Sequence, residues 1–122
     1  MASVLTNLGE QWACDRMSGV SSLDGHFIGW GTGAGTAAKG DTTLSTEAAE
    51  ARAVGTVSTN GSGASAKYQV VGTITSASNQ TITNAGNFTA SSSGILIMHA
   101  DFTGIALLTG DSIQFTFTLD PS

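Results

Sequence analysis

The sequence predicts an all-β protein, an antiparallel β-sandwich or jelly roll with a short N-terminal helix or arm. Three observations predict it. Apolar residues alternate with period two through much of the second half of the chain. Gly and Asn cluster between the alternating runs, where turns belong. No helical period separates them, so the crossover helices of a parallel α/β fold are missing. The 122 residues suffice for one core. We divide them into an N-terminal helix or arm, 1–20, and a β-domain, 21–122.

The one helix candidate covers residues 4–17. Val4, Leu8 and Trp12 recur at i, i+4 and i+8 as a single apolar stripe. Asn7 and Glu10 resemble a capping pair that would start the helix near residue 7. Gly9 weakens it, and Ser18-Gly19 ends it. A lone helix this short must pack on something, either on its own β-domain or on a neighbour. The expectation here is a neighbour, with the segment serving attachment more than folding.

A short strand at residues 26–30 leads into a glycine-threonine loop, 31–43, and a helical turn is possible at 45–50. Residues 51–58 alternate weakly. Residues 65–75 place Ala66, Tyr68, Val70, Gly72 and Ile74 on one face. Residues 80–83 form a short strand before a turn at Asn84-Ala-Gly86. Residues 94–102 place Leu96, Met98, Ala100 and Phe102 on one face, with Ile95, Ile97, His99 and Asp101 on the other. A further short strand follows at 104–108. Residues 112–119 alternate most cleanly, with Ile113, Phe115, Phe117 and Leu119 inward. Turns are expected at 60–63, 78–79 and 110–111.

Composition narrows the function. Only 11% of residues are charged and the net charge is −5, against about 25% charged in an average domain. The cations are Arg16, Lys39, Arg52 and Lys67, scattered along the chain. Nucleic-acid binding needs clustered Lys and Arg on phosphates, so no nucleic-acid partner is expected. A basic membrane-surface helix is excluded on the same ground, and no apolar run reaches the ~20 residues of a membrane span. The first residues lack the basic and apolar regions of a signal peptide. One cysteine, Cys14, permits no intrachain disulfide. The sequons at Asn60, Asn79 and Asn87 read as chance in a chain rich in Asn, Ser and Thr.

Nothing in the sequence argues for catalysis, a metal or a cofactor. The alternating Gly29, Gly31, Gly33 and Gly35 do not make a dinucleotide fingerprint, and Lys39-Gly40 is not a P-loop. His26, His99 and Cys14 are too dispersed for a metal cluster, and the acids lack calcium-loop spacing. His99 and Asp101 read as an outward polar pair. Cys14 reads as a small packing residue. Arg52 is different, being a scarce cation beside Glu47 and Glu50; it is either a solvated charge or an intersubunit contact.

Several segments together carry a resemblance. They are Met1-Ala-Ser-Val-Leu-Thr-Asn7 leading to Trp12 and Asp15-Arg16; Gly29-Trp-Gly-Thr-Gly33; Asp41-Thr-Thr-Leu44 with Thr46-Glu47 and Arg52; and Ile82-Thr-Asn-Ala-Gly86 with Phe88 and Gly94-Ile-Leu96. In this order they resemble a loose group of small virion proteins of tailed bacteriophages. The chain departs from the pattern at Asn84, where an acid is expected, and at Asn87, where an apolar residue is expected. The resemblance implies a non-enzymatic β-sandwich built into the virion, of the capsid decoration or cement type. Its partners would be the major capsid protein and other copies of itself, as a trimer around a local symmetry axis, on the capsid surface after synthesis in the host cytoplasm. Val4, Leu8, Trp12, Trp30 and Arg52 are the candidate interface residues. The alternative is a tail or fibre-associated module binding a host glycan, for which Trp30 beside the glycine loop would be the stacking platform.

Overall fold

The computed structural model describes residues 2–19, 24–63 and 66–119. The proposed boundary between residues 20 and 21, and Ser65 at the start of one expected strand, lie outside them. The chain forms two antiparallel sheets and one helix. In order the elements are β1 (Ala2–Leu5), α1 (Asn7–Ser18), β2 (Phe27–Gly31), β3 (Ala53–Val54), β4 (Thr56–Asn60), β5 (Lys67–Thr75), β6 (Gln80–Phe88), β7 (Leu96–Leu107) and β8 (Ser112–Leu119). One sheet has five strands in the order β1-β7-β6-β2-β3, and the other has three in the order β4-β5-β8. This is the expected all-β sandwich, with unequal layers.

The core lies between the sheets and follows the period-two pattern. Val70 and Ile74 from β5 and Phe117 from β8 meet Ile28 and Trp30 from β2, Ile82 and Ala85 from β6, and Ile97 and Met98 from β7. Phe115 sits edge-on to Trp30 at 6.2 Å between centroids, a favoured geometry for two aromatic quadrupoles. The β5–β8 register runs unbroken from Tyr68↔Leu119 to Thr75↔Ser112. Perfect alternation in both strands has no reason to bulge.

The N-terminal segment is built into this sandwich and does not stand apart from it. Residues 2–5 are an edge strand of the larger sheet, with Val4 opposite His99 and Leu5 opposite Met98. The expected stripe therefore does not exist, because Val4 precedes the helix. Thr6, not Asn7, is the N-cap: its hydroxyl accepts from the Gly9 N–H and donates to the Leu96 carbonyl at 2.5 Å. Trp12 is 4% exposed and packs edge-on to Tyr68, whereas Leu8 is 41% exposed. Gly19 caps the C-terminus in the left-handed region. Gly9 faces the β7 backbone, where a Cβ would run into the Ile97 carbonyl. The residue that weakens the helix is the one that lets it lie against the sheet.

Four other expectations change. The Asn84-Ala-Gly86 turn is the middle of β6, and the two strands expected at 94–102 and 104–108 are one long strand, β7 (Leu96–Leu107). The 45–50 stretch makes a turn at Ser45-Thr46 with no helix. The β6–β7 ladder shifts register between Asn87 and Phe88, so Phe88 faces Leu96 and Asn87 faces Met98. This bulge moves Leu96 off the face it was assigned. Leu96 packs with Leu44, Phe88 and Phe27 in a second cluster, while Ile97 and Met98 both enter the main core.

The second cluster lies on the outer face of the five-stranded sheet, beneath the segment 32–52. That segment returns along β2: Thr32 and Gly33 donate to the Thr46 and Ser45 carbonyls at 3.0 and 2.9 Å, and Ala48 donates to Trp30 at 3.0 Å. A side chain at Gly31 would collide with the Ser45 and Thr46 carbonyls. The glycines of the loop's start thus permit a backbone-on-backbone lid.

Candidate functional site

The five-stranded sheet extends past the three-stranded one on the side of β1. There β8 ends its sheet and β1 ends the other. Among the described residues neither strand has a ladder partner on its outer edge. Between them an apolar trough of about 580 Å³ opens, lined by Val4, Met98 and Ala100 on one wall, Phe102 and Ile105 along its length, and Phe115, Phe117 and Leu119 on the other. No carboxylate, lysine or arginine lines it; its polar lining is Ser3, Gln114, Thr116, Thr118 and the buried His99. A second hollow of about 540 Å³ adjoins it under α1, lined by Trp12, Ala13, Cys14, Met17 and Tyr68, and the two share Leu5 and Leu119. Met17 is exposed at the margin of this hollow, and Ile105 at that of the trough.

Edges of this kind are usually blunted by charge, proline or a bulge. From Ser112 to Leu119 the outer edge strand has none of these; its outward residues are Ser, Gln and Thr. An apolar strip flanked by unpaired backbone donors and acceptors suits association with another protein surface or strand.

The expected interface residues are not brought together here. Val4 lines the trough, and Trp12 lines the neighbouring hollow from a buried position. Leu8 is on the exposed face of α1, outside both. Trp30 is 1% exposed inside the protein's own core, and its indole N–H donates to Glu50 at 3.0 Å. Arg52 faces inward: its side chain is 7% exposed, its guanidinium forms a two-point pair with Glu47 at 2.8 and 3.0 Å, and it donates to the carbonyls of Ala90 and Ser93. The same group lies 3.4 Å over the Phe88 ring. This arginine ties segment 47–52 to the β6–β7 connection, which is an intramolecular task.

Sequence reasoning missed Phe102, Ile105 and the β8 edge as surface. The signal present was the absence of any charge across 112–119. It also misread His99, which is 2% exposed and not an outward group. Its Nδ1 lies 2.7 Å from the Asp41 carboxylate and its Nε2 lies 3.0 Å from Asn84 Oδ1. Burial raises the Asp41 carboxyl, but donation from the Ala38 N–H and the contact with His99 outweigh it and hold it below the usual range. Glu50 behaves alike: burial raises it, and hydrogen bonds from Ala77, Trp30 and Gln80 carry it below. Among the described residues no three His, Cys, Asp or Glu side chains gather as metal ligands.

The chain was compared with protein-family models, characterised proteins and solved structures. It matches none of them.

Proposed function

We propose that this protein is a non-enzymatic structural component of a tailed-phage virion, a decoration or cement protein that binds the major capsid protein between capsomers and clusters there with other copies of itself, as a trimer. The observation that carries the reading is the trough between β1 and β8, a largely apolar strip without carboxylate, lysine or arginine, bordered by two strand edges that have no ladder partner among the described residues. Such a surface is costly to leave in water and gains from burial at roughly 25 cal/mol per Å². A particle surface supplies a permanent partner. Arg16 pairs with Asp24, Lys39 with Glu10 and Arg52 with Glu47, which favours a protein partner over a polyanion. The glycan-binding alternative loses its stacking platform, because Trp30 is enclosed by its own sheets.

Gold-conjugated antibody against the chain, applied to particles from a producing lysate, tests this. Label distributed over heads supports the decoration role. Label confined to tails supports the alternative. Particles without label, with all the protein free in the supernatant, overturn both.

A further inference from the structure

His99 is held between two oxygens, and the hydrogen-bond roles of both are fixed by their other partners. Asn84 is read from both ends by one residue: the Ser45 N–H donates to Asn84 Oδ1 at 3.0 Å, and Asn84 Nδ2 donates to the Ser45 carbonyl at 3.0 Å. A backbone N–H cannot accept and a carbonyl cannot donate, so the amide cannot be flipped. Oδ1, the atom facing His99 Nε2, is an acceptor. On the other side, Asp41 Oδ2 also accepts from the Ala38 N–H at 2.8 Å. A carboxylate there is an acceptor as well.

We infer that His99 is bound in the fold as the doubly protonated imidazolium, and that this enclosed cation is a proton-operated latch holding the segment 32–46 against the outer face of the five-stranded sheet. A neutral ring has one N–H and one bare nitrogen. Placed here, its bare nitrogen would meet a lone pair at 2.7 or 3.0 Å, replacing a hydrogen bond with repulsion. The imidazolium donates to both sides and neutralises Asp41; the ring is buried and the carboxylate is 28% exposed, so the charge-assisted bond is only partly screened.

The other charged groups around the ring are already committed. On its own strand Asp101, two residues on, accepts from the Ala37 N–H at 3.1 Å. On β1 the residue opposite is Val4, and on β6 the neighbour is Asn84. From the segment itself Lys39 turns its ammonium to the Leu5 carbonyl and to Glu10 of α1. Among the described residues, Asp41 is the carboxylate hydrogen-bonded to the ring. Its latch spans the segment: Asp41 anchors the middle, Ser45 the end, and Leu44 between them covers Phe88 and Leu96. Loss of the ring proton sets Nδ1 against Asp41, and the segment loosens as pH rises. The apolar cluster it covers is then uncovered.

The test is the ring nitrogen spectrum of the full chain by long-range ¹H–¹⁵N correlation, followed with pH beside amide exchange. At neutral pH both His99 nitrogens should read as protonated. Where the spectrum turns neutral at higher pH, protection of the Gly33 and Ser45 amides should fall about tenfold or more, the equivalent of one charge-assisted bond. In Asp41→Asn the new amide can donate to a bare Nδ1, so the ring should be neutral and protection should lose this pH dependence. A neutral ring in the unmodified chain at neutral pH, with the segment fully protected, overturns the inference. So does a ring that titrates with no change in protection. Should Asp41→Asn fail to fold, the spectrum of the unmodified chain decides alone.

Discussion

Replacing Trp12 with alanine is the sharpest test of how the N-terminal segment is used. The indole is almost fully buried in the main core, sits 5.4 Å from the Tyr68 ring, and stands where α1 meets the sandwich. Truncating a buried large aromatic costs about 3–5 kcal/mol, of which the aromatic pair itself accounts for about 0.5–1.5 kcal/mol. A domain of this size has about 5–15 kcal/mol in all. Trp12→Ala should therefore shift the guanidinium midpoint strongly, whereas Leu8→Ala, on the exposed face of the same helix, should stay within about 0.5 kcal/mol. Equilibrium denaturation of both variants, followed by far-UV circular dichroism, compares them directly. Equal and small losses would mean that the helix is a detachable arm and that its packing as described here is wrong.

The remaining predictions concern other parts of the same framework. Phe117→Ala should cost about 3–5 kcal/mol in the same assay, and Phe115→Ala less, because Phe115 is only partly enclosed beside the trough. Gly9→Ala should destabilise by about 1–3 kcal/mol despite raising helix propensity, because its Cβ meets the Ile97 carbonyl; a stabilised variant would refute the close approach of α1 to β7. Asp41 and Glu50 are both held below their ordinary values in the fold. Each then adds stability that is fully present above the unfolded value near pH 4 and is lost as pH falls through the folded value. Thermal melts should drop on acidification in that window, and Glu50→Gln should flatten the drop; an unchanged acid limb would refute the Glu50 bonds.

Where alternation is uninterrupted, the sequence is a direct record of the structure. Strands β5 and β8 were legible residue by residue, because every second side chain enters one core. Strand β6 was not. Asn84 and Gly86 look like turn residues, but they occupy mid-strand positions for reasons set by distant chain. Asn84 uses both ends of its amide on Ser45, and Gly86 leaves room for Leu44 and Leu96. The bulge opposite Asn87 turns Leu96 to the outer cluster, a shift no period can foretell. Val4 joined Leu8 and Trp12 in a helical pattern only because four residues of strand precede the Thr6 cap. The candidate site was the least legible part. Trp30 and Arg52 stood out as scarce residue types, and both proved to be internal ties. The trough arises from the unequal widths of two sheets, a property of strand order and not of any motif.

The central claim is that the open β1–β8 side is where this protein attaches to a phage head. Electron cryo-microscopy of heads carrying the protein, set beside heads lacking it, tests that claim most directly. The account predicts density for this sandwich at the junctions between capsomers, with β8, Phe102 and Ile105 facing the major capsid protein or a neighbouring copy. Heads identical with and without the protein, or a bound sandwich whose trough faces solvent, would contradict it.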